Sequence, residues 1–346
     1  MTPPRATVSV LTLARGRAAH LANLVRGLAR QDEPPAELVI AAMQEAPYDD
    51  LPEAPFPIRQ IRVPGDELPL SRARNAAAAA ATGEVLAFVD VDCIPAPGLV
   101  ADYAANARPG AGLFMGEVLY LPAGAADPGW SFDALEAVAV RHSDRQGPPP
   151  DKPRLCNDYR CFWSLNFAMH REDWDAAGGF DERYAGYGGE DTDFGRTLDE
   201  AGTDIWWIRG ARVYHQHHPH CMPPIHAVAS ILRNTEVFAS KWGHRTMGHW
   251  IHAFRMMGLV EVDETGLRIL RDPGPEDYAL CRQSDDMPYA ATARVIRLLE
   301  DRERHARGLP PEDEAAPGRH ARMTAAQERI TAAAPGRDAV PLGLRR

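Results

Sequence analysis

Four groups of residues in this chain could carry chemistry. Asp90-Val91-Asp92 sets two carboxylates one residue apart at the end of the apolar run Glu84–Val91. Hard oxygen ligands at the carboxyl end of a central strand suit Mg²⁺ or Mn²⁺ bridging a diphosphate. The spacing alone is weak ground in a chain with 48 acidic residues, where Asp191-Thr192-Asp193 repeats it. Placement after a buried strand singles out the first pair. The run His215-Gln216-His217-His218-Pro219-His220 concentrates imidazoles. Either His215 or His217, each closing a strand-like segment, is expected to complete a metal site begun by Asp92, with a histidine-rich surface loop as the plain alternative.

The third group is Gly186-Tyr187-Gly188-Gly189, running into Glu190-Asp191-Thr192-Asp193. Glycines permit close backbone approach to a ligand, and the acidic residues open a helix whose dipole favours the anion. A carboxylate there is expected to be ionised at neutral pH and able to take a proton from a sugar hydroxyl. The fourth group is basic: Arg15 and Arg17 follow the first strand, and Arg72 and Arg74 lie in the first turn of an alanine-rich helix. Cations at a helix N-terminus oppose the dipole, so phosphate contact is the expected reason for them.

The elements that must position these groups follow from periodicity. Residues 7–13 read as a strand, and 18–30 as a helix with Leu21, Leu24, Val25 and Leu28 on one face. Glu37–Ala42 and Ile58–Val63 are further strands, the opening of a parallel α/β sheet. Ser71 is the expected N-cap of a helix over Arg72–Thr82, with Gly83 as its stop. Glu84–Val91 is near-continuously apolar, as suits a strand covered on both faces. Strands are expected over 111–121, over 161–169 with one face exposed, and over Asp204–Ile208 and Val213–Gln216. Helices are expected around Phe132–Arg141 and over Glu190–Ala201, and helical, aromatic sequence over about 224–258. The Pro-rich segment 145–153 is a candidate lid. Beyond about 305 the composition turns Pro/Glu/Arg/Ala-rich, predicting a flexible tail.

The totals exclude several classes. A net charge of −10 argues against a nucleic-acid binder, whose affinity comes from neutralising phosphates. Five scattered cysteines without a CxxC pair fit reduced thiols better than a disulfide framework. No signal peptide or apolar run of about 20 residues is present, so no transmembrane segment is expected and a cytoplasmic protein is.

The segments LARGRAAHL (13–21), LSRARNAAAAAATGEVLAFVDVDCIP (70–95), SLNFAMHREDWDAAGGFDERYAGYGGEDTDF (164–194) and VYHQHHP (213–219) together resemble a family-2 glycosyltransferase of the GT-A fold. The resemblance is strongest to the β-1,4-galactosyltransferases and bacterial chondroitin-type polymerases, through their shared C-terminal galactosyltransferase-like module. It implies a mixed α/β, Rossmann-like sheet flanked by helices over 1–220, a helical extension over 221–305 and a flexible tail over 306–346. It implies a nucleotide-sugar donor, UDP-linked, and a glycan, lipid-linked or small-molecule hydroxyl acceptor.

By the same resemblance Arg15, Arg17 and Arg72, with Arg74 beside them, would bind the diphosphate. Asp90 would contact ribose or flank the metal. Asp92 and His215 or His217 would hold Mn²⁺ (or Mg²⁺), and Asp191 would be the base of an inverting transfer, with Glu190 shaping the acceptor site. Ser164, Asn166, Tyr187, Gly188 and Gly189 would line the sugar and acceptor pocket. The chain departs from the family in two places: Ala41-Ala42-Met43-Gln44 replaces an acidic strand end, and Tyr187 replaces a tryptophan. Competing readings are a sugar-phosphate nucleotidyltransferase, a non-catalytic nucleotide-sugar binding protein and a histidine-rich metal-storage protein.

Overall fold

The computed structural model describes residues 6–263, 266–310 and 319–332. They fall into two compact units. The first comprises the described chain up to Ala185, then Glu190–His218 and Asp285–Tyr289. The second comprises Gly186–Gly189, Pro219–Ser284 and the described residues from Ala290 onward.

The first unit opens with β1 (Val8–Ala14), α1 (Ala18–Leu28), β2 (Glu37–Ala42), β3 (Ile58–Arg62), α2 (Leu70–Ala80) and β4 (Val85–Val89). It continues with β5 (Cys93–Pro95), α3 (Leu99–Asn106), β6 (Leu113–Met115), β7 (Val118–Tyr120), α4 (Phe132–Val138), β8 (Val140–Arg141) and β9 (Arg154–Leu155). It closes with β10 (Asn166–His170), α5 (Arg171–Ala177), α6 (Glu190–Glu200), β11 (Ile205–Trp207) and β12 (Val213–His215). The larger sheet has the order β3-β2-β1-β4-β10-β6-β11-β9, and the smaller β5-β12-β7-β8. β1 to β4 run parallel, whereas β10 lies antiparallel between β4 and β6. The fold is the expected mixed α/β one.

Both faces of the larger sheet are covered, which is why its strands are apolar throughout. Val8 and Val10 of β1, Leu38 and Ile40 of β2, and Val85 and Ala87 of β4 pack with Leu21, Leu24 and Leu28 of α1. The alternate residues Leu11, Val39, Leu86 and Phe88 pack with Ala73, Ala77 and Ala78 of α2 and with Trp174 and Phe194. Each fully buried leucine contributes roughly 1.5–3 kcal/mol before its ordering entropy.

Four local readings need correction. The expected strand 111–121 is two strands in different sheets, broken at Gly116, where a Cβ would lie 2.2 Å from the Ala211 carbonyl oxygen. The half-exposed strand 161–169 begins only at Asn166 and is buried along its length. Ser71 is not the cap of α2; the helix is entered from Pro69, and Ser71 is fully buried within it. Gly83 is not a left-handed stop: a Cβ there would meet the Ser9 backbone nitrogen at 2.6 Å, so the residue is glycine because β1 passes against it.

The second unit contains α7 (Val228–Trp242), α8 (Gly248–Met256), the strands β13 (Val260–Asp263) and β14 (Gly266–Ile269), α9 (Pro275–Cys281), α10 (Thr292–Ala306) and α11 (Arg319–Ala332). Ile231, Ile251, Phe254, Leu259, Val295 and Ile330 form its core. The expected all-helical extension thus includes an antiparallel strand pair, in register from Val260↔Ile269 to Asp263↔Gly266. Of the expected flexible tail, 319–332 is helical and Ile330 is buried, while 311–318 and 333–346 lie outside the described residues. Among the described residues, no helix is long and apolar enough to cross a membrane.

Candidate active site

β4 ends at Val89, and the chain turns through Asp90-Val91-Asp92 into β5, which pairs antiparallel with β12. Their register sets His215 opposite Cys93, and the Gln216 amide donates to the Asp92 carbonyl at 2.7 Å. This pairing carries His215 to the Asp92 carboxylate, with Nε2 3.5 Å from Oδ1. β12 stops at His215, so the two-residue alternation that would put His217 on the same face ends there. The following turn instead brings His218 Nε2 to 3.3 Å from Asp92 Oδ2. The His217 side chain stays outside the cluster, and its carbonyl faces His20 Nε2 at 3.4 Å.

Asp92, His215 and His218 therefore each offer a ligand atom, all within 4.8 Å of one another. Two imidazoles and one carboxylate form a donor set that fits a first-row divalent ion and leaves coordination positions for a ligand. Arg17 donates to the same carboxylate and lies 3.5 Å from His218 Nδ1. It does so from left-handed backbone (φ 51°, following Gly16 at 60°), a conformation that costs a non-glycine residue roughly 1–2 kcal/mol. Burial opposes ionisation of Asp92, but His215, His218 and Arg17 outweigh it and hold its carboxyl well below the usual range. Tyr120, which no motif marked, packs on His215 with ring centroids 4.8 Å apart.

The second cluster is acidic, and it explains Arg74. That side chain is buried, with Nη1 3.4 Å from Glu190 Oε1 and Nη2 3.9 Å from Asp90 Oδ1, and its guanidinium lies 5.0 Å from the centre of the Phe180 ring. The cation at the start of α2 answers these carboxylates. Burial pushes the Asp191 carboxyl up to about 7, with Glu190 adding to the shift and Arg74 opposing it. The helix dipole is overridden, so Asp191 titrates near neutrality instead of being fully ionised there. Asp90 is likewise pushed up to about 7, by burial first and by Asp92, against Arg74.

The remaining expected residues disperse. Arg15 is exposed, and exposed Arg72 donates to the Pro64 carbonyl. Asn166 is fully buried and committed: it accepts from the Tyr103 hydroxyl at 2.7 Å and donates to the Ala211 carbonyl at 2.6 Å. Ser164 is buried. Tyr187, Gly188 and Gly189 belong to the second unit, where Tyr187 stacks on Trp250 with centroids 5.8 Å apart. A Cβ on Gly188 (φ 95°) would meet Met247 Sδ at 2.9 Å, so packing accounts for that glycine without a ligand. Asn75, also unmarked by motif reasoning, ties α2 to the turn before the acidic segment by accepting from the Phe180 amide at 2.9 Å and donating to its carbonyl at 2.8 Å.

Residues 9–130 match the family described as glycosyl transferase family 2, and residues 150–219 match the family described as the N-terminal domain of galactosyltransferase. A chondroitin synthase of Escherichia coli is 40% identical over 70 residues, which is 20% of this chain and 10% of that protein. The crystal structure of GalNAc-T7 with UDP, GalNAc and Mn²⁺ is similar with a TM-score of 0.50 and 14% identity, over 73% of this chain and 51% of that one. The mannosyltransferase PcManGT from Pyrobaculum calidifontis, in complex with GDP-Man and Mn²⁺, gives a TM-score of 0.40 and 16% identity over 61% and 57% of the two chains. The matched part thus spans about half the length of these solved chains, and the likeness to GalNAc-T7 is one of fold.

Proposed function

Since the chain is a family-2 glycosyltransferase with a GT-A fold, we propose that it moves a sugar from a UDP-sugar to a hydroxyl of a glycan, a lipid-linked sugar or a small molecule, with inversion at the anomeric carbon. The observation that carries this reading is the juxtaposition, within one unit, of the Asp92–His215–His218 cluster with the Arg74-linked carboxylates Asp90 and Glu190. Bound at the first cluster, Mn²⁺ would neutralise charge on the leaving diphosphate, and the two imidazoles favour it over Mg²⁺. The Mn²⁺ named with GalNAc-T7 supports that choice, and the UDP named with it supports the donor.

The chain's own residues divide the remaining work. Arg17, beside Asp92, and Arg15 on the same turn bind diphosphate oxygens. Asp90, at the end of β4, meets the ribose. Asp191 takes the acceptor proton in a single displacement, and a carboxyl titrating at about 7 suits a base working near neutral pH. Glu190, held by Arg74, fixes the first turn of α6 under that base. Free cysteines support a reducing, cytoplasmic setting.

Calorimetric titration with UDP, with and without Mn²⁺, in the parent and in Asp92→Ala, tests the donor half. Binding that requires both metal and Asp92 upholds it. A different nucleoside diphosphate binding with the same dependence replaces uridine, and no metal-dependent nucleotide binding removes the active-transferase reading.

A further inference from the structure

Arg145 plays no part in the proposed transfer, yet it is the most conspicuous buried cation of the first unit. Its residue is 7% exposed, and Nη1 and Nη2 meet no hydrogen-bond partner. Among the described residues it forms no ion pair. The guanidinium carbon lies 5.1 Å from the centre of the Trp163 ring and 5.2 Å from that of Trp207. Those rings hold the guanidinium, but they supply no acceptor for its N–H groups.

The acid that lines the same cleft is already committed elsewhere. That cleft is lined by Glu117, Arg141, Arg145, Pro148 and Trp207 among others. Glu117 is already shared by Arg141 at 3.0 Å and Arg212 at 2.7 Å. Two arginines on one carboxylate leave Arg145 as uncompensated positive charge in a largely dry setting, which is costly, and its fork of N–H groups matches the geometry of a carboxylate or phosphate. The cleft is also tied to the transfer site. Trp163, His142, Tyr120 and His215 form a chain of ring contacts with successive centroids 5.4, 5.5 and 4.8 Å apart.

We propose that Arg145, clamped by Trp163 and Trp207, binds an oxyanion carried by the acceptor, a carboxylate or a phosphate on a sugar, through its two terminal nitrogens. The inference rests on the glycosyltransferase reading and narrows its acceptor to an acidic sugar. The space beside the guanidinium is about 10 Å³, enough for a water-sized group, so the Gln146–Pro148 wall must shift outward to admit the ligand. Solvation by a single water is the competing account.

Tryptophan emission of the metal-free, nucleotide-free full chain is titrated with D-glucuronate, D-glucose 6-phosphate and D-glucose at constant ionic strength. A saturable change with an acidic sugar and none with glucose is expected, and the acid that binds tells carboxylate from phosphate. Binding should weaken at least tenfold in Arg145→Gln, and also in Arg145→Lys, which keeps the charge but loses the fork. Equal responses to glucose and the acids, no saturable response to either acid, or unchanged affinity in a folded Arg145→Gln would each overturn the proposal. Should the variants fail to fold, the comparison of acidic with neutral sugar on the parent protein still decides. The UDP–Mn²⁺ titration is run on the same preparation. Protein that binds UDP but neither acid removes only this inference, and protein that binds an acid but no nucleotide keeps the oxyanion site and removes the transferase reading together with the ligand's role as acceptor.

Discussion

Replacing Arg74 by methionine keeps most of the aliphatic stem and deletes the charge that faces Asp90 and Glu190. At 3.4 Å the Arg74–Glu190 attraction is about 5 kcal/mol at an effective dielectric near 20. Desolvation offsets part of that, and stripping one partner from a buried pair costs roughly 3–5 kcal/mol. The pair qualifies as buried, with side chains only 5% and 9% exposed. At ~2–4 °C per kcal/mol for a unit of this size, Arg74→Met should melt about 6–20 °C below the parent.

The loss should depend on pH in a defined direction. Asp90 and Asp191 are pushed up to about 7 while Arg74 is still opposing the shift. Carboxyls raised in the fold stabilise it below their unfolded range and lose that contribution as pH rises through the folded value. Without Arg74 both rise further, so the variant's deficit should be larger at pH 8 than at pH 5.5. The acid limb of kcat/KM should also move to higher pH, because an opposing cation is lost beside Asp191. Thermal melts at the two pH values, together with a pH profile of transfer, read both effects. A variant within about 2 °C of the parent at both pH values, or one hurt more at pH 5.5, refutes the reasoning. Adding Glu190→Gln should recover part of the loss, because the stranded charge is removed with its partner.

The other expectations are simpler. His218→Ala should weaken Mn²⁺-dependent UDP binding by about 100-fold, whereas His217→Ala should leave calorimetric affinity unchanged. Asp191→Asn should lower kcat about 10²–10⁴-fold with UDP–Mn²⁺ affinity intact. In the parent, kcat/KM should fall below about pH 7 as Asp191 takes up its proton, a limb that the asparagine variant lacks. Gly83→Ala should destabilise by about 2 kcal/mol or more, read as a lowered melting midpoint, because the new methyl meets the Ser9 backbone at 2.6 Å.

Much of the sheet was legible because its strands are covered on both faces, and β2 and β4 therefore read as unbroken apolar runs bounded by polar turns. Asp92 and His215 were legible because Asp92 follows a buried apolar strand and His215 closes one. What escaped depends on partners distant in sequence. Arg74 looks misplaced on α2 until Glu190, 116 residues away, is brought beside it. His218 lies past the end of β12, where alternation carries no information. The division of 111–121 at Gly116 depends on Ala211, and α11 is too poor in large apolar residues for its packing through Ile330 to show as a periodic stripe.

The smaller sheet carries a consequence for redesign. Asp92 and His215 are brought together by the β5–β12 pairing, which sets His215 opposite Cys93, whereas Glu190 and Asp191 open α6, which packs on the larger sheet through Phe194 and Leu198. The two halves of the chemistry thus hang from separate frames, and Arg74 ties the α6 half to Asp90 at the end of β4. An engineer could exchange the α6 segment to alter acceptor choice without touching the strand register that holds the metal-binding side chains. A one-residue slip of β12 would be far more damaging, because it would turn His215 to the opposite face of its sheet.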